Sequence, residues 1–218
     1  QIRNAPAKIP TFAIRMLPYV NIHTHRPTGS GIELRTAGVH PWDAATQDAA
    51  TLGQRLGGAQ AVGETGLDFV RGADRAAQLS ALRTQLRLAR ERGLPVVLHC
   101  VRAFEPLMRE LAASEPRAVI FHGFIGSPEQ ARQALAKGYC LSFGERTFAS
   151  PKTLAALRET PLSQLFLETD DSPVPIAEIY ARAAEAKGVP EEVLQRAILE
   201  RIFTGGEYEG PGRTKGDK

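Results

Sequence analysis

From Leu17 onward the chain alternates short apolar runs with longer amphipathic stretches. LPYVNIH (17–23), IELRTAGVH (32–40), AQAVGE (59–64), PVVLHC (95–100), RAVIFHG (117–123), YCLSFGE (139–145) and LFLETD (165–170) read as strands. Most of them concentrate Val, Ile, Leu or Phe, the pattern of a strand covered on both faces. Between them the apolar period lengthens. Residues 74–92 carry Leu79, Leu82, Leu86 and Ala89 at spacings of three and four, with Gly93 as a stop. Helices are also predicted over 103–113, 127–137, 150–158, 176–187 and 190–203. Ser127-Pro128 and Ser150-Pro151 each set an N-cap before a first-turn proline.

Strand followed by helix along a whole chain means a parallel sheet. A compact TIM-like (β/α) barrel of seven or eight parallel strands fits best, near the short limit of that fold. Only about ten residues separate the first two strands, too few for a crossover helix. The first crossover helix is therefore expected to be missing. An open doubly wound sheet, with its ligand at a switch point, is the alternative. The barrel domain is expected over 17–203, with an N-terminal extension at 1–16 and a loose, aperiodic tail at 204–218. Gln1 at the start suggests a trimmed or engineered end, with Met16 a candidate for the natural start.

Composition changes this picture little. Hydrophobic residues make up 43% and charged residues 23%, which excludes a disordered or low-complexity chain. A net charge of +3 is too weak to declare a nucleic-acid binder, so affinity for a polyanion must come from a local site. Cys100 and Cys140 lie in apolar runs without a CxxC partner and read as buried thiols in a reducing compartment. No apolar run approaches a membrane span and no signal-peptide core is visible, so the expected location is the cytoplasm. Nothing marks a segment that needs an obligate protein partner.

The polar residues at the ends of the apolar runs are more specific. His23 and His25 follow VNI, Glu64 follows AVG, His99 follows VVL, His122 follows VIF and Asp170 follows LFLET. Strand ends of a barrel converge on the face that carries the active site. His23 and His25 are two apart, so on extended backbone they point to one side. Four imidazoles and two carboxylates suit two divalent cations if one carboxylate bridges and water fills the open positions. Such a pair clamps both oxygens of a displacement and favours an anionic substrate. Zn²⁺ and Mn²⁺ match this donor set, and Mg²⁺ matches it less well.

VNIHTH, GVHPW, AVGETGLDF, VVLHCVRAF, VIFHGFIGSPEQA, GYCLSFGE and LFLETDDSP resemble, in order and spacing, the landmarks of the TatD family of metal-dependent hydrolases. The resemblance runs from Tyr19 to Ser172. It implies an amidohydrolase-like TIM barrel, a two-metal centre and deoxyribonuclease or exonuclease activity on DNA or short oligonucleotide ends. By that resemblance His23, His25 and Asp170 belong to one metal, Glu64 bridges, and His99 and His122 hold the second. Asp170 is then the base that takes a proton from the attacking water, with Glu64 and Asp170 as the catalytic carboxylates. The resemblance places His40 near the scissile group.

Two further residues are candidates for substrate contact. Arg102 is suited to hold a phosphate oxygen and Trp42 to stack on a base. Asp68 and Asp171 are candidates for orienting ligands. The family usually has Asp where Asn21 stands, and an amide supplies no charge. Two alternatives stay open: hydrolysis of an amide, lactone or aminoacyl ester on the same barrel, and a non-catalytic binding protein that retains it.

Overall fold

A computed structural model describes residues 17–203; the expected extension at 1–16 and tail at 204–218 lie outside the described residues. The strands are β1 (Val20–Asn21), β2 (Ile32–Glu33), β3 (Thr36–Ala37), β4 (Ala61–Asp68), β5 (Val96–Val101), β6 (Val119–Phe121), β7 (Cys140–Phe143) and β8 (Leu165–Leu167). The helices are α1 (Leu52–Arg55), α2 (Arg75–Arg92), α3 (Phe104–Ser114), α4 (Pro128–Ala136), α5 (Pro151–Glu159), α6 (Ile176–Lys187) and α7 (Glu191–Phe203).

All pairings are parallel, and β3 to β8 lie side by side in chain order. β1 pairs with β2, which reaches β3 through only Leu34 and Arg35. IELRTAGVH is thus one bent stave that serves two neighbours. The ring returns on itself at β1 and β8, where Ile22 N donates to Leu167 O and Asp170 N donates to His23 O, both at 3.1 Å. No helix lies between β1 and β2 among the described residues, so the missing first crossover is confirmed.

The core explains why these segments are strands. Val96, Val97 and Leu98 of β5 are wholly buried, as are Leu141, Phe143, Leu165 and Leu167 in β7 and β8. Strands with both faces covered leave water no access to the ladder, and burial of each such side chain contributes about 1.5–3 kcal/mol. The helix starts follow their caps. Asp74 accepts from Ala76 N and Ala77 N at the head of α2, and Ser127 and Gln130 form a capping box on α4. Gly93 ends α2 in the left-handed region.

The seam needs a partner that β8 does not supply. Tyr180 of α6, fully buried, donates its hydroxyl to Val20 O at 3.0 Å and accepts from Val20 N at 3.3 Å. A side chain thus stands in for a strand neighbour. Tyr180→Phe removes both bonds and leaves two buried backbone groups unpaired. It is expected to cost about 1–3 kcal/mol, read as a lower urea midpoint at an unchanged slope.

β4 is longer than the sequence pattern predicts. Gly63 and Gly66 look like punctuation, yet the strand runs through both of them to Asp68. A Cβ on Gly63 would sit 2.7 Å from Val97 O, and one on Gly66 would collide with the His99 carbonyl. The glycines permit close approach of β4 to β5 rather than a turn. The register shifts between Val62 and Thr65, so Glu64 occupies an irregularity within the strand instead of its end. Such irregularities re-aim side chains.

Candidate metal centre

The carboxyl ends of the strands bring seven of the nine expected site residues together. Glu64 lies at the middle. Its Oε1 is 2.6 Å from His99 Nδ1, 2.6 Å from His122 Nε2 and 3.2 Å from His40 Nε2. Its Oε2 is 3.2 Å from His23 Nε2 and 3.3 Å from His25 Nε2. Asp170 Oδ1 stands 3.8 Å from His23 Nε2 and 3.5 Å from His25 Nε2. One carboxylate therefore divides the histidines into two sets, one on each oxygen. His40 joins the second set, closer to the centre than a group that only orients substrate need be.

Seam bonds deliver the first set. His25 N donates to Asp170 O at 3.1 Å, and Thr24 bridges Asp170 across β1 and β8. Asn21 does not face the cluster. Its amide donates to Thr169 Oγ1 at 2.9 Å and accepts from Thr169 N at 3.1 Å, so this side chain fastens the seam. Consecutive strands deliver the second set, Glu64 from β4, His99 from β5 and His122 just after β6.

The two sets differ in their backing. Asp68 Oδ2 lies 3.4 Å from His99 Nε2 and accepts from Trp42 Nε1 at 2.8 Å. Its Oδ1 accepts from Val70 N and Arg71 N. Behind His122 stands Glu168, with Oε1 3.2 Å from Nδ1. Among the described residues no such partner meets the outer nitrogen of His23 or His25. Exposure differs too: the His25 side chain is 49% exposed and that of His122 5%.

Glu168 has no assigned role in the strand-end reading, although ETD carries its signal. It lies two residues before Asp170 on extended chain, the spacing that paired His23 with His25. Two buried glutamines of α2 are likewise invisible in the helical pattern. Gln85 accepts from Val39 N at 2.7 Å and donates to Val39 O at 3.0 Å, fixing the backbone beside His40. Gln78 does the same for Asp68, at 2.8 Å for each bond.

Burial would raise the Glu64 carboxyl, but hydrogen bonds with His122, His23, His40 and His99 outweigh it and hold the group far below the usual range. Burial also opposes both charges of the His122–Glu168 pair, yet each favours the charged form of the other, the imidazole raised and the carboxyl lowered. Asp170 is pushed up, chiefly by burial, with the charges of Glu168 and Glu64 adding to it against the pull of His122 and His23. Burial lifts the Cys100 thiol to about 12, so it stays protonated near neutral pH.

This donor set fits divalent cations. Facing imidazole nitrogens approach to 3.3 Å between His23 and His25 and to 3.4 Å between His99 and His122. A cation satisfies such converging lone pairs where hydrogen bonds alone cannot serve them all. Buried Glu168 Oε2 has no hydrogen-bond partner, an orphan acceptor beside the cluster. His122, Glu168 and Asp170 also form a group whose ligand atoms lie within 4.8 Å of one another.

Arg102 stands apart from the cluster, whereas Trp42 packs edge-on against His40, with ring centroids 4.5 Å apart. Arg102 follows β5 with φ 53°, lines a neighbouring cleft and makes no ion pair among the described residues. Asp170 shares that left-handed backbone at φ 53°, and each such residue costs about 1–3 kcal/mol that the surrounding structure must offset. Trp42 is 40% exposed at the rim, with the Arg71 guanidinium 3.7 Å from its ring centroid. Asp171 lines the mouth of the cluster.

Fold and cluster place the chain among parallel (β/α) barrels that gather metal-competent side chains at the carboxyl ends of their strands. The sequence profile described as TatD related DNase matches residues 31–203, and the chain belongs to that family. It is 42% identical over 147 residues to the "3'-5' ssDNA/RNA exonuclease TatD" of Cronobacter sakazakii, covering 62% of this chain and 56% of that protein. It is 33% identical over 162 residues to the "uncharacterized metal-dependent hydrolase YjjV" of Escherichia coli, covering 66% of this chain and 62% of that protein. The chain thus spans less than two thirds of the length of these curated relatives.

The crystal structure of E. coli YjjV superposes with a TM-score of 0.70 at 28% identity, over 79% of this chain and 76% of that one. A TatD-family hydrolase from Entamoeba histolytica gives 0.70 at 20% identity, over 80% and 74%, a likeness of fold. No helix among the described residues is long and apolar enough to cross a membrane.

Proposed function

We propose that the chain is a two-metal hydrolase of phosphodiester bonds that works on the ends of single nucleic-acid strands. The observation that carries this reading is Glu64, whose two oxygens each face a separate set of imidazoles. His23, His25 and Asp170 with Oε2 would hold one divalent ion, and His99 and His122 with Oε1 the other. Zn²⁺ and Mn²⁺ suit this mixture of nitrogen and oxygen. Ions held there supply Lewis acidity and an activated water near neutral pH.

The protein's own groups do the rest. Asp170 takes the proton of the attacking water on its carboxylate. Its mouth position, with the side chain 26% exposed, leaves that oxygen within reach of solvent. Asp68 and Glu168 accept from the far nitrogens of His99 and His122 and keep the rings turned inward. His40 donates to an oxygen of the scissile group, and Arg102 binds a neighbouring phosphate. Any stacking of a base on Trp42 must use the ring face that Arg71 leaves uncovered. Relatives named as single-strand exonucleases support the substrate class. Two free cysteines accord with work in the cytoplasm.

The test joins metal analysis of the purified protein to hydrolysis of end-labelled single strands, blunt duplex and closed circular DNA with Mn²⁺, Zn²⁺ or Mg²⁺. Two ions per chain and shortening from an end are expected, with closed circles resistant. Two bound ions without cleavage of any phosphodiester would sink the proposal in favour of a carboxyl ester or amide substrate.

A further inference from the structure

Beside the centre lies a larger cavity in which, besides His122 of the centre itself, only Arg102 has been given a role so far. A pocket of about 230 Å³ holds the inner wall of the cluster, with His99, His122, Glu168 and Asp170. It opens into a cleft of about 840 Å³ through five residues that line both, Cys100, Val101, His122, Ile125 and Arg146. The cleft runs between the segments that follow β5, β6 and β7. Its size is that of a site for an extended ligand rather than a single small group.

The lining has a definite chemistry. Arg102, Arg146 and Lys152 are exposed on it, and Glu105 is its one carboxylate. None of the three cations makes a salt bridge among the described residues, whereas Arg83, Arg132 and Arg196 elsewhere are paired with Glu110, Glu159 and Glu192. A chain whose net charge is only +3 thus holds a local cationic excess beside the centre. The floor is apolar. Phe104 and Phe124 line it while largely buried, and Ile125 stands 50% exposed at the entrance.

Cations along a rim with an apolar floor suit a polyanion whose bases are uncovered. A single strand offers both its phosphates and the faces of its bases, while a duplex hides those faces within its stack. We infer that this cleft is the track for the unpaired strand next to the reacting phosphate. Arg102, Arg146 and Lys152 hold its phosphates and Ile125 meets a base. The assignment of the strand's end to the metal centre rests on the function proposed above; the cleft's affinity for a single strand does not.

The experiment measures binding, not cleavage. Fluorescence anisotropy of a labelled oligothymidylate with hydrolysis-resistant phosphorothioate links is followed with the intact, metal-loaded protein. The wild type should bind the strand at least tenfold more tightly than a blunt hairpin duplex of equal length. Arg146→Gln with Lys152→Gln should weaken strand binding about tenfold and flatten the log–log salt dependence by about 1.4, the loss of two phosphate contacts on a single strand. Ile125→Asp should weaken it without changing that slope by more than the added charge requires. All three residues are exposed, and circular dichroism checks that the variants fold. Equal affinity for strand and duplex, or a double variant that binds as the wild type does, overturns the inference. Failure of the wild type to cut any phosphodiester, with strand binding intact and lost in the double variant, overturns the proposed reaction and leaves the cleft assigned.

Discussion

Glu64→Gln is expected to yield a folded protein that holds fewer than two metal ions per chain and turns over more than about 100-fold more slowly, beyond the loss typical of a merely supporting partner. Gln has the shape of Glu, so the irregular stretch of β4 and the close approach to β5 are undisturbed. It offers one oxygen and one amino group in place of two oxygens. Whichever set of imidazoles meets the amino group loses its shared ligand, and the central negative charge is lost to both. Metal content by mass spectrometry and turnover on end-labelled strands provide the check, with circular dichroism as the control for folding. Full metal content at a near-normal rate would remove Glu64 from the centre.

Asp170→Asn should separate two duties that meet in one side chain. As the proposed base, Asp170 would contribute about 10²–10⁴ in rate. As a proposed ligand, it would share its ion with His23, His25 and Glu64, which remain. Turnover should therefore fall by that factor while at least the ion at His99 and His122 is retained. The backbone at φ 53° makes Asn a suitable replacement, since Asn tolerates the left-handed region as Asp does. A variant that keeps a rate within tenfold of the wild type would deny Asp170 the role of base.

Much of the barrel was legible because its signals are local. Ser127-Pro128 and Ser150-Pro151 announce α4 and α5 through chemistry complete within four residues, and Val96–Leu98 announces a strand by being apolar on both faces. His99 and His122 could be placed because each follows such a run directly. The illegible parts depend on partners distant in sequence. The run AQAVGE reads as ending at Glu64, yet β4 continues through Gly66 to Asp68 because the glycines let β5 press against it, so Glu64 lies inside the strand. Gln78 and Gln85 look like solvent-facing positions because their targets, the backbones of Asp68 and Val39, are brought to them only by the fold. Trp42 gave no hint of its bond to Asp68 for the same reason. Glu168 differs, since the i, i+2 spacing with Asp170 was present in ETD.

The closing seam gives the centre an order of assembly. Glu64, His99 and His122 come from three strands that are successive neighbours in both chain and sheet, joined by one helix at each step. His23 and His25 reach Asp170 only when β1 meets β8, with nearly the whole barrel between them in sequence. Loop closure over that span is the costliest in chain entropy of any pairing in the ring, though its cost grows only slowly with length. A nascent or partly opened chain can therefore possess the His99–His122 half of the centre, but never the His23–His25 half without a closed ring. Completion of the centre and completion of the barrel are one event.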